Sequence, residues 1–401
     1  MAKWTRALWL VIAILAVALL PLPGALIRWH GSIPMFGVFP PYAAGAVKPG
    51  FKLWVFAAGC LVAALMLAFL LVPRWFGFRR TTAPRCRVRS MPLPWWFWTG
   101  LLVNLVSWAM MWWGELPLAA YAFVPLWWGF IVAIDGWVYA RTGGRSLMTG
   151  GSGRMLALAV VSVPAWGFFE FLNYYALEVW VYPNNSIFSQ AGQTLWYLVS
   201  FSTVWPAIFE WYTLLHTFDG LWNRWAEGPV LRATPRVVLA GMLGAALILA
   251  LFGAFPFQLF IALWVAPPVV LTAALSLLGF WTPFRPIRHG HWSPMVLACL
   301  AALFNGLFWE LWNEGSTVFH PGINNNPNYW YYDIPYVNWP HLFSRMPLLG
   351  YFGYLPFGAL AWVFWLVIAH ILDLDPVLDL TQLQREQRAQ ASAEARWVTA
   401  R

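Results

Sequence analysis

The chain has 401 residues, of which 61% are hydrophobic and only 10% are charged, and its mean hydropathy is +0.62. Soluble globular proteins carry about 25% charged residues, so this composition excludes a soluble surface and indicates one that mostly faces lipid. The net charge of +9 does not indicate a nucleic-acid partner, because the basic residues fall in short loops between apolar runs. The 31 Trp, 30 Phe and 14 Tyr residues also favour a membrane protein, since amphipathic rings collect at membrane interfaces.

Ten apolar segments follow one another along the chain, each close to the roughly 20 residues that a membrane-spanning helix needs. We therefore predict an all-α, polytopic membrane helical bundle of about ten transmembrane helices. The first helix is expected to be retained, because it is too long for the core of a signal peptide. The segments are 5–27, 51–73, 95–114, 118–140, 155–180, 194–217, 236–254, 257–281, 294–313 and 347–373.

The distribution of basic residues predicts the orientation. With the N-terminus inside, only Arg28, Lys48, Lys52 and Arg345 of the 24 Lys and Arg residues fall in outer segments. The other twenty fall in inner segments, which is a strong positive-inside bias. We predict that both termini lie on the cytoplasmic side of a bacterial cytoplasmic (inner) membrane.

Two parts of the chain resemble each other. Each has a Glu-x-x-Asn motif, then an aromatic stretch, then a helix that ends in His-x-x-Asp, at 166–173, 180–182 and 216–219 and again at 307–313, 330–332 and 370–373. These patterns predict two similarly oriented four-helix repeats, related by a pseudo-twofold axis along the membrane normal. The predicted division is 1–90 for an N-terminal two-helix extension, 91–232 and 233–374 for the repeats, and 375–401 for a cytoplasmic tail.

Ionisable side chains within the apolar segments are the main candidates for function, because such groups are costly inside a bilayer. Residues three apart share a helix face, so each Glu-x-x-Asn motif presents a carboxylate and an amide together. We predict that Glu170, Glu310 and Glu210 are catalytic and line one cavity in the outer half of the membrane. Glu210 follows Pro206, which is expected to kink its helix. The alternative is that these groups only hydrogen-bond across helices and hold the repeats together.

Polar and aromatic residues near the two motifs are candidates for substrate binding. A long outer loop at 315–346, rich in Asn, Tyr and Trp, either binds polar head groups or caps the helix ends. His216 and His370 could ligate a haem, but anchoring at the interface explains them equally well, so we predict no cofactor and no metal site. The substrate-binding candidates are Asn173, Asn313, Asn305, Trp166, Trp309, Tyr332 and Trp330.

Three functions fit these features. The pair of carboxylates in aromatic surroundings favours an enzyme that acts on a lipid or isoprenoid substrate. The repeat favours a secondary transporter or ion-coupled permease. The many Trp residues and few charges also fit a structural or assembly subunit of a membrane complex. The expected partners are membrane lipids and a lipid or isoprenoid substrate, while the oligomeric state stays open.

Overall fold

The protein is all-helical in a computed structural model, with 67% helix and 2% strand. Among the residues that the structure describes, seven helices are long and apolar enough to cross a membrane, as expected of an integral membrane protein. The structure describes residues 2–34, 36–39, 47–81, 90–151, 153–175, 179–184, 186–319 and 325–378. The seven candidate spans are Lys3–Arg28, Leu53–Leu71, Phe123–Arg141, Arg154–Asn173, Pro235–Ala254, Ser293–Val318 and Leu348–Leu372.

Helices occupy every one of the ten predicted segments. The first part of the chain forms α1 Lys3–Leu19, α2 Pro21–Arg28, α3 Leu53–Leu71, α4 Trp95–Trp113, α5 Phe123–Arg141, α6 Arg154–Tyr175, β1 Trp180–Val181, α7 Gln190–Phe201, α8 Val204–His216 and α9 Asp219–Trp222. The second part forms α10 Pro235–Ala254, α11 Ala262–Leu277, α12 Ser293–Val318, β2 Tyr331–Tyr332 and α13 Tyr354–Leu372. How many of them cross the membrane stays a prediction, as do the boundaries of the repeats.

Some of the predicted features lie outside the described residues. These are Arg85, Arg87 and Arg89 of the basic loop, residues 176–178 of the predicted segment 155–180, residues 320–324 of the predicted outer loop, and residues 379–401 of the predicted tail.

The sixth predicted span is two helices rather than one kinked helix. Helix α7 ends at Phe201 and α8 begins at Val204, so Pro206 is the third residue of α8. A helix does not use the N–H group of that position, so the proline fits there without bending the helix. The Ser162 hydroxyl stabilises the break, because it donates to the carbonyl of Phe201 and accepts from the backbone N–H of Trp205.

Small residues let several helix pairs approach closely. A Cβ atom on Gly100 of α4 would lie 2.7 Å from the carbonyl oxygen of Gly129 in α5. A Cβ atom on Gly358 of α13 would overlap the backbone of Ala298 in α12. Such contacts favour association of apolar helices where hydrophobic burial contributes little.

Helix α3 stands apart from the rest of the bundle. Only 6% of its apolar span is buried, and it packs on the 3-10 turn Leu348–Gly353 that precedes α13. One of its faces, which includes Val55, Gly59 and Ala63, borders a cavity instead of another helix.

Candidate functional site

A cavity of about 490 Å³ lies between α3, α12, the starts of α11 and α13, the junction of α7 with α8, and the two short strands. Its wall is mostly apolar and aromatic. The aromatic residues of this wall include Trp166, Trp180, Trp309, Trp330, Tyr332 and Tyr354. Four of the predicted substrate-binding residues, Trp166, Trp309, Trp330 and Tyr332, therefore line one space.

Glu310 is fully buried directly behind this wall. Its Oε1 atom accepts hydrogen bonds from the hydroxyls of Tyr332 at 2.9 Å and Tyr354 at 2.7 Å. Its Oε2 atom accepts a bond of 3.0 Å from the Ser344 hydroxyl. The carboxylate thus reaches the cavity through phenol groups and does not itself form the surface.

Glu170 occupies a matching position behind the other side of the wall. Its Oε1 atom accepts three hydrogen bonds, from the indole of Trp166 at 2.9 Å, the indole of Trp180 at 3.1 Å and the hydroxyl of Tyr182 at 2.6 Å. Its Oε2 atom is buried without a hydrogen-bond partner among the described residues. Tyr182, like Tyr332, lines the cavity.

The two Asn residues of the motifs hold the strands in place. Asn313 donates to the carbonyl of Trp330 at 2.7 Å and accepts from its N–H at 3.1 Å. Asn173 donates to the carbonyl of Trp180 at 3.0 Å and accepts from the N–H of Val179 at 3.0 Å. Each amide therefore fixes the aromatic segment whose tyrosine contacts the carboxylate three residues earlier.

The strands join the two motifs directly. β1 and β2 pair antiparallel, with Trp180 opposite Tyr332 and Val181 opposite Tyr331. Burial and the adjacent carboxylates raise the pKa of the Tyr332 and Tyr182 hydroxyls well above the ordinary value. Both phenols are therefore neutral hydrogen-bond donors at neutral pH.

Glu210 is not among the residues that line this cavity, and its catalytic role stays a prediction. Its carboxyl group lies within hydrogen-bonding range of Asp135, and Thr213 donates to it at 3.4 Å. Asp135 accepts from the indole of Trp96 at 3.2 Å and from the N–H of Met148 at 2.9 Å. The physical reason is that α8 packs against α5, which turns Glu210 towards Asp135.

Asn305 and the two histidines also lie outside the cavity wall. Asn305 is fully buried one turn before Trp309, and its amide has no hydrogen-bond partner among the described residues. His216 packs edge-on against Trp222 with ring centres 4.3 Å apart, and His370 stacks on Phe280 at 4.1 Å. Aromatic packing thus accounts for the positions of both histidines.

Sequence reasoning missed the donors that surround the carboxylates. Tyr354 and Ser344 contact Glu310 from 44 and 34 residues away in the chain, and no local pattern predicts such contacts. Tyr182 had a usable signal, because Trp-x-Tyr occurs after both motifs and places it in the position of Tyr332.

A comparison of the chain with protein-family models, curated proteins and solved structures finds no significant match.

Proposed function

We propose that the chain is a membrane-embedded enzyme that transfers protons to and from a lipid or isoprenoid substrate in this cavity. The observation that carries the proposal is the contact between Tyr332, which lines the cavity, and Glu310, which is buried behind it. A phenol in contact with a bound molecule and with a buried carboxylate can pass a proton between the two.

The shape and chemistry of the cavity fit an apolar substrate. Small-molecule sites typically enclose about 300–1,000 Å³, and the value here falls within that range. A wall of indole and phenol rings favours hydrocarbon over a strongly charged ligand. Ring faces such as those of Trp166 and Trp309 also stabilise a positive charge that develops on a substrate carbon.

Proton transfer can be written with Glu310 in its protonated state. The carboxyl group gives its proton to the Tyr332 oxygen while the Tyr332 proton moves to one carbon of a carbon–carbon double bond of the substrate, which leaves the positive charge on the other carbon. Loss of a proton from the carbon beside the resulting cation returns a proton through a phenol to a carboxylate. The net change is an isomerisation or cyclisation that needs no other reactant.

The Glu170–Tyr182 pair supplies a second acid/base unit at the same cavity. When the carboxyl group of one unit is protonated and that of the other is ionised, the first unit donates a proton to the substrate. The second unit accepts the proton that the substrate then loses. Equivalent units are expected if residues 91–232 and 233–374 are repeats. That arrangement is supported by the matched Asn contacts, by the symmetrical strand pairing, and by Pro206 and Pro356, each the third residue of its helix.

The packing of aromatic rings at the cavity wall favours an enzyme over a transporter. Phe169 stacks on Trp264 with ring centres 6.0 Å apart and meets Phe357 edge-on at 5.5 Å. Trp264 and Phe357 are themselves part of the wall, so tightly packed rings lie where a permease needs a polar path.

The proton-transfer step is tested with conservative variants of purified, reconstituted protein. Glu310→Gln keeps the size of the side chain and an oxygen that can accept from both tyrosines, so the protein should fold normally. Tyr332→Phe removes the hydroxyl alone. Each variant should lose conversion of a host lipid extract, measured by liquid chromatography and mass spectrometry, by at least about 100-fold. Glu115→Gln, at an exposed position outside the cavity, is the matched control and should stay active.

Substrate occupancy is tested separately by filling the cavity. Ala63 on α3 is buried against the cavity, whereas its neighbour Ala64 is exposed and does not line it. Ala63→Trp should displace lipid or isoprenoid that copurifies with the protein, while Ala64→Trp should retain it, as measured by mass spectrometry of extracts. Full conversion by both Glu310→Gln and Tyr332→Phe would contradict the proposed proton transfer through these residues. No conversion by the wild type would contradict the enzyme and leave a lipid-bound assembly subunit as the better description.

A further inference from the structure

A second cavity, distant in sequence from the carboxylate motifs, lies where α3 ends. After Leu71 the chain forms the 3-10 turn Pro73–Phe76 and reverses at Gly77, whose φ of +84° favours glycine. Phe78 then inserts into the protein and packs edge-on against Phe69 and Trp292, with ring centres 5.4 and 5.8 Å apart. This anchor gives the short segment a defined position although its charged side chains face outward.

Four arginines surround this space, and we call it the arginine basin. It has a volume of about 560 Å³, and its cationic lining is Arg74, Arg79, Arg80 and Arg224. The backbone N–H of Arg79 donates to the carbonyl of Glu227 at 2.8 Å, which ties the basin's two chain segments together. The Arg224 guanidinium donates to the carbonyl of Leu71 and lies 5.5 Å from the ring centre of Trp225.

The positive charge of the basin is not neutralised by the described part of the protein. No carboxylate lines it, and the described ion pairs use Lys3, Lys48, Arg154 and Arg345 instead. Within those same residues, Asp219 and Glu227 are close in sequence to Arg224 yet form no ion pair with a basin arginine. The Arg224 Nε atom is buried without a hydrogen-bond partner in the described structure. Four like charges held together in this way favour an anion as the missing partner.

The surroundings of the basin favour a binding site at the membrane surface. The apolar helix α3 ends at its rim, and the neighbouring Trp75 side chain is 77% exposed, as expected for an indole anchored at the membrane–water interface. Guanidinium groups match phosphate oxygens in bidentate geometry. In the predicted topology this surface is cytoplasmic, where anionic phospholipids attract basic clusters.

We propose that the arginine basin binds a phosphate group at the membrane surface, carried either by an anionic phospholipid or by a soluble phosphate-bearing ligand. This site is independent of the proposed chemistry in the carboxylate cavity, because the two share no lining residue.

The experiment compares two double variants of the full chain in detergent. Arg74→Gln with Arg80→Gln removes two exposed charges from the basin, while Arg224 stays because its contact with Leu71 supports the fold. Arg232→Gln with Arg236→Gln removes two exposed charges outside the basin and is the matched control. The probes are phosphatidylglycerol, phosphatidylcholine and inorganic pyrophosphate, with lipid binding followed by native mass spectrometry and pyrophosphate binding by thermal shift.

The wild type and the control should bind phosphatidylglycerol with the same affinity. The basin variant should bind it about 30-fold more weakly, because it lacks two of the interfacial arginines that each contribute to the binding free energy for anionic lipid. The same pattern with pyrophosphate and no preference among lipids would identify a soluble ligand as the source of the phosphate. Arg74→Lys with Arg80→Lys keeps the charge and should retain part of the binding, which separates lost recognition from misfolding. The proposal would be overturned if the basin and control variants weakened the binding of both probes equally, or if neither variant weakened it.

Discussion

The two hydrogen bonds between Asn313 and the backbone of Trp330 allow a quantitative prediction. Asn313→Ala removes both, and each such bond contributes a net of about 0.5–1.5 kcal/mol, so the free energy of unfolding should fall by about 1–3 kcal/mol. Asn173→Ala removes two equivalent bonds and should cause a loss of the same size. Asn184→Ala is the graded control: Asn184 donates a single hydrogen bond of 2.8 Å to the carbonyl of Asn326, so this variant should lose about half as much stability.

The assay is equilibrium unfolding of each purified variant by sodium dodecyl sulfate in mixed micelles, followed by circular dichroism. The wild type and the three variants are measured under one set of conditions, so that only differences in free energy are compared. An Asn313→Ala variant within about 0.5 kcal/mol of the wild type would refute the structural role of the amide. A large loss for Asn313→Ala with none for Asn173→Ala would refute the equivalence of the two motifs.

Three further predictions follow from particular contacts. Gly358→Ala should destabilise the protein by about 1–3 kcal/mol in the same assay, because the new Cβ overlaps the backbone of Ala298. Gly244 has open space around it, so Gly244→Ala should be neutral or stabilising by up to about 1 kcal/mol. The pKa values of Tyr182 and Tyr332 are raised in the folded state, so the stability from their neutral phenols is present below pH 10.0 and is lost as the pH rises further. Replacing both tyrosines with Phe should therefore make the free energy of unfolding less dependent on pH above that value. A reporter fused after Arg401 should be active in the cytoplasm, and activity only in the periplasm would contradict the predicted topology.

The sequence predicted the class of fold and part of the site. Long apolar runs are sufficient to locate membrane helices, because one dominant cost, the exposure of polar groups to lipid, decides their placement. The energetic argument for buried carboxylates likewise located Glu170 and Glu310 inside the protein. The repeated Trp-x-Tyr pattern placed Trp330 and Tyr332 near Glu310.

The sequence could not predict how the helices face one another. Glu210 was grouped with the other carboxylates because all three lie in apolar segments, but the rotation of α8 against α5 brings it to Asp135 instead. Helical periodicity in a membrane protein is weak evidence for rotation, because lipid-facing and buried positions are both apolar. Tyr354 and Ser344 were missed for the same reason, since their contacts with Glu310 depend on how α12 and α13 pack.

The ribbon formed by β1 and β2 makes the two carboxylate sites depend on one register. Trp180 and Tyr182 are two residues apart and share a face, so both point to Glu170, while Tyr332 on the opposite strand points to Glu310. A slip by one residue would turn a strand's side chains to the other face and remove the donors from its carboxylate. Because the strands are each other's pairing partners, neither can slip alone without breaking the ladder. Both carboxylates therefore keep or lose the phenols of Tyr182 and Tyr332 together, although Tyr354 on α13 stays with Glu310. A substitution that loosens one strand should be detected at the distant carboxylate as well as at its own.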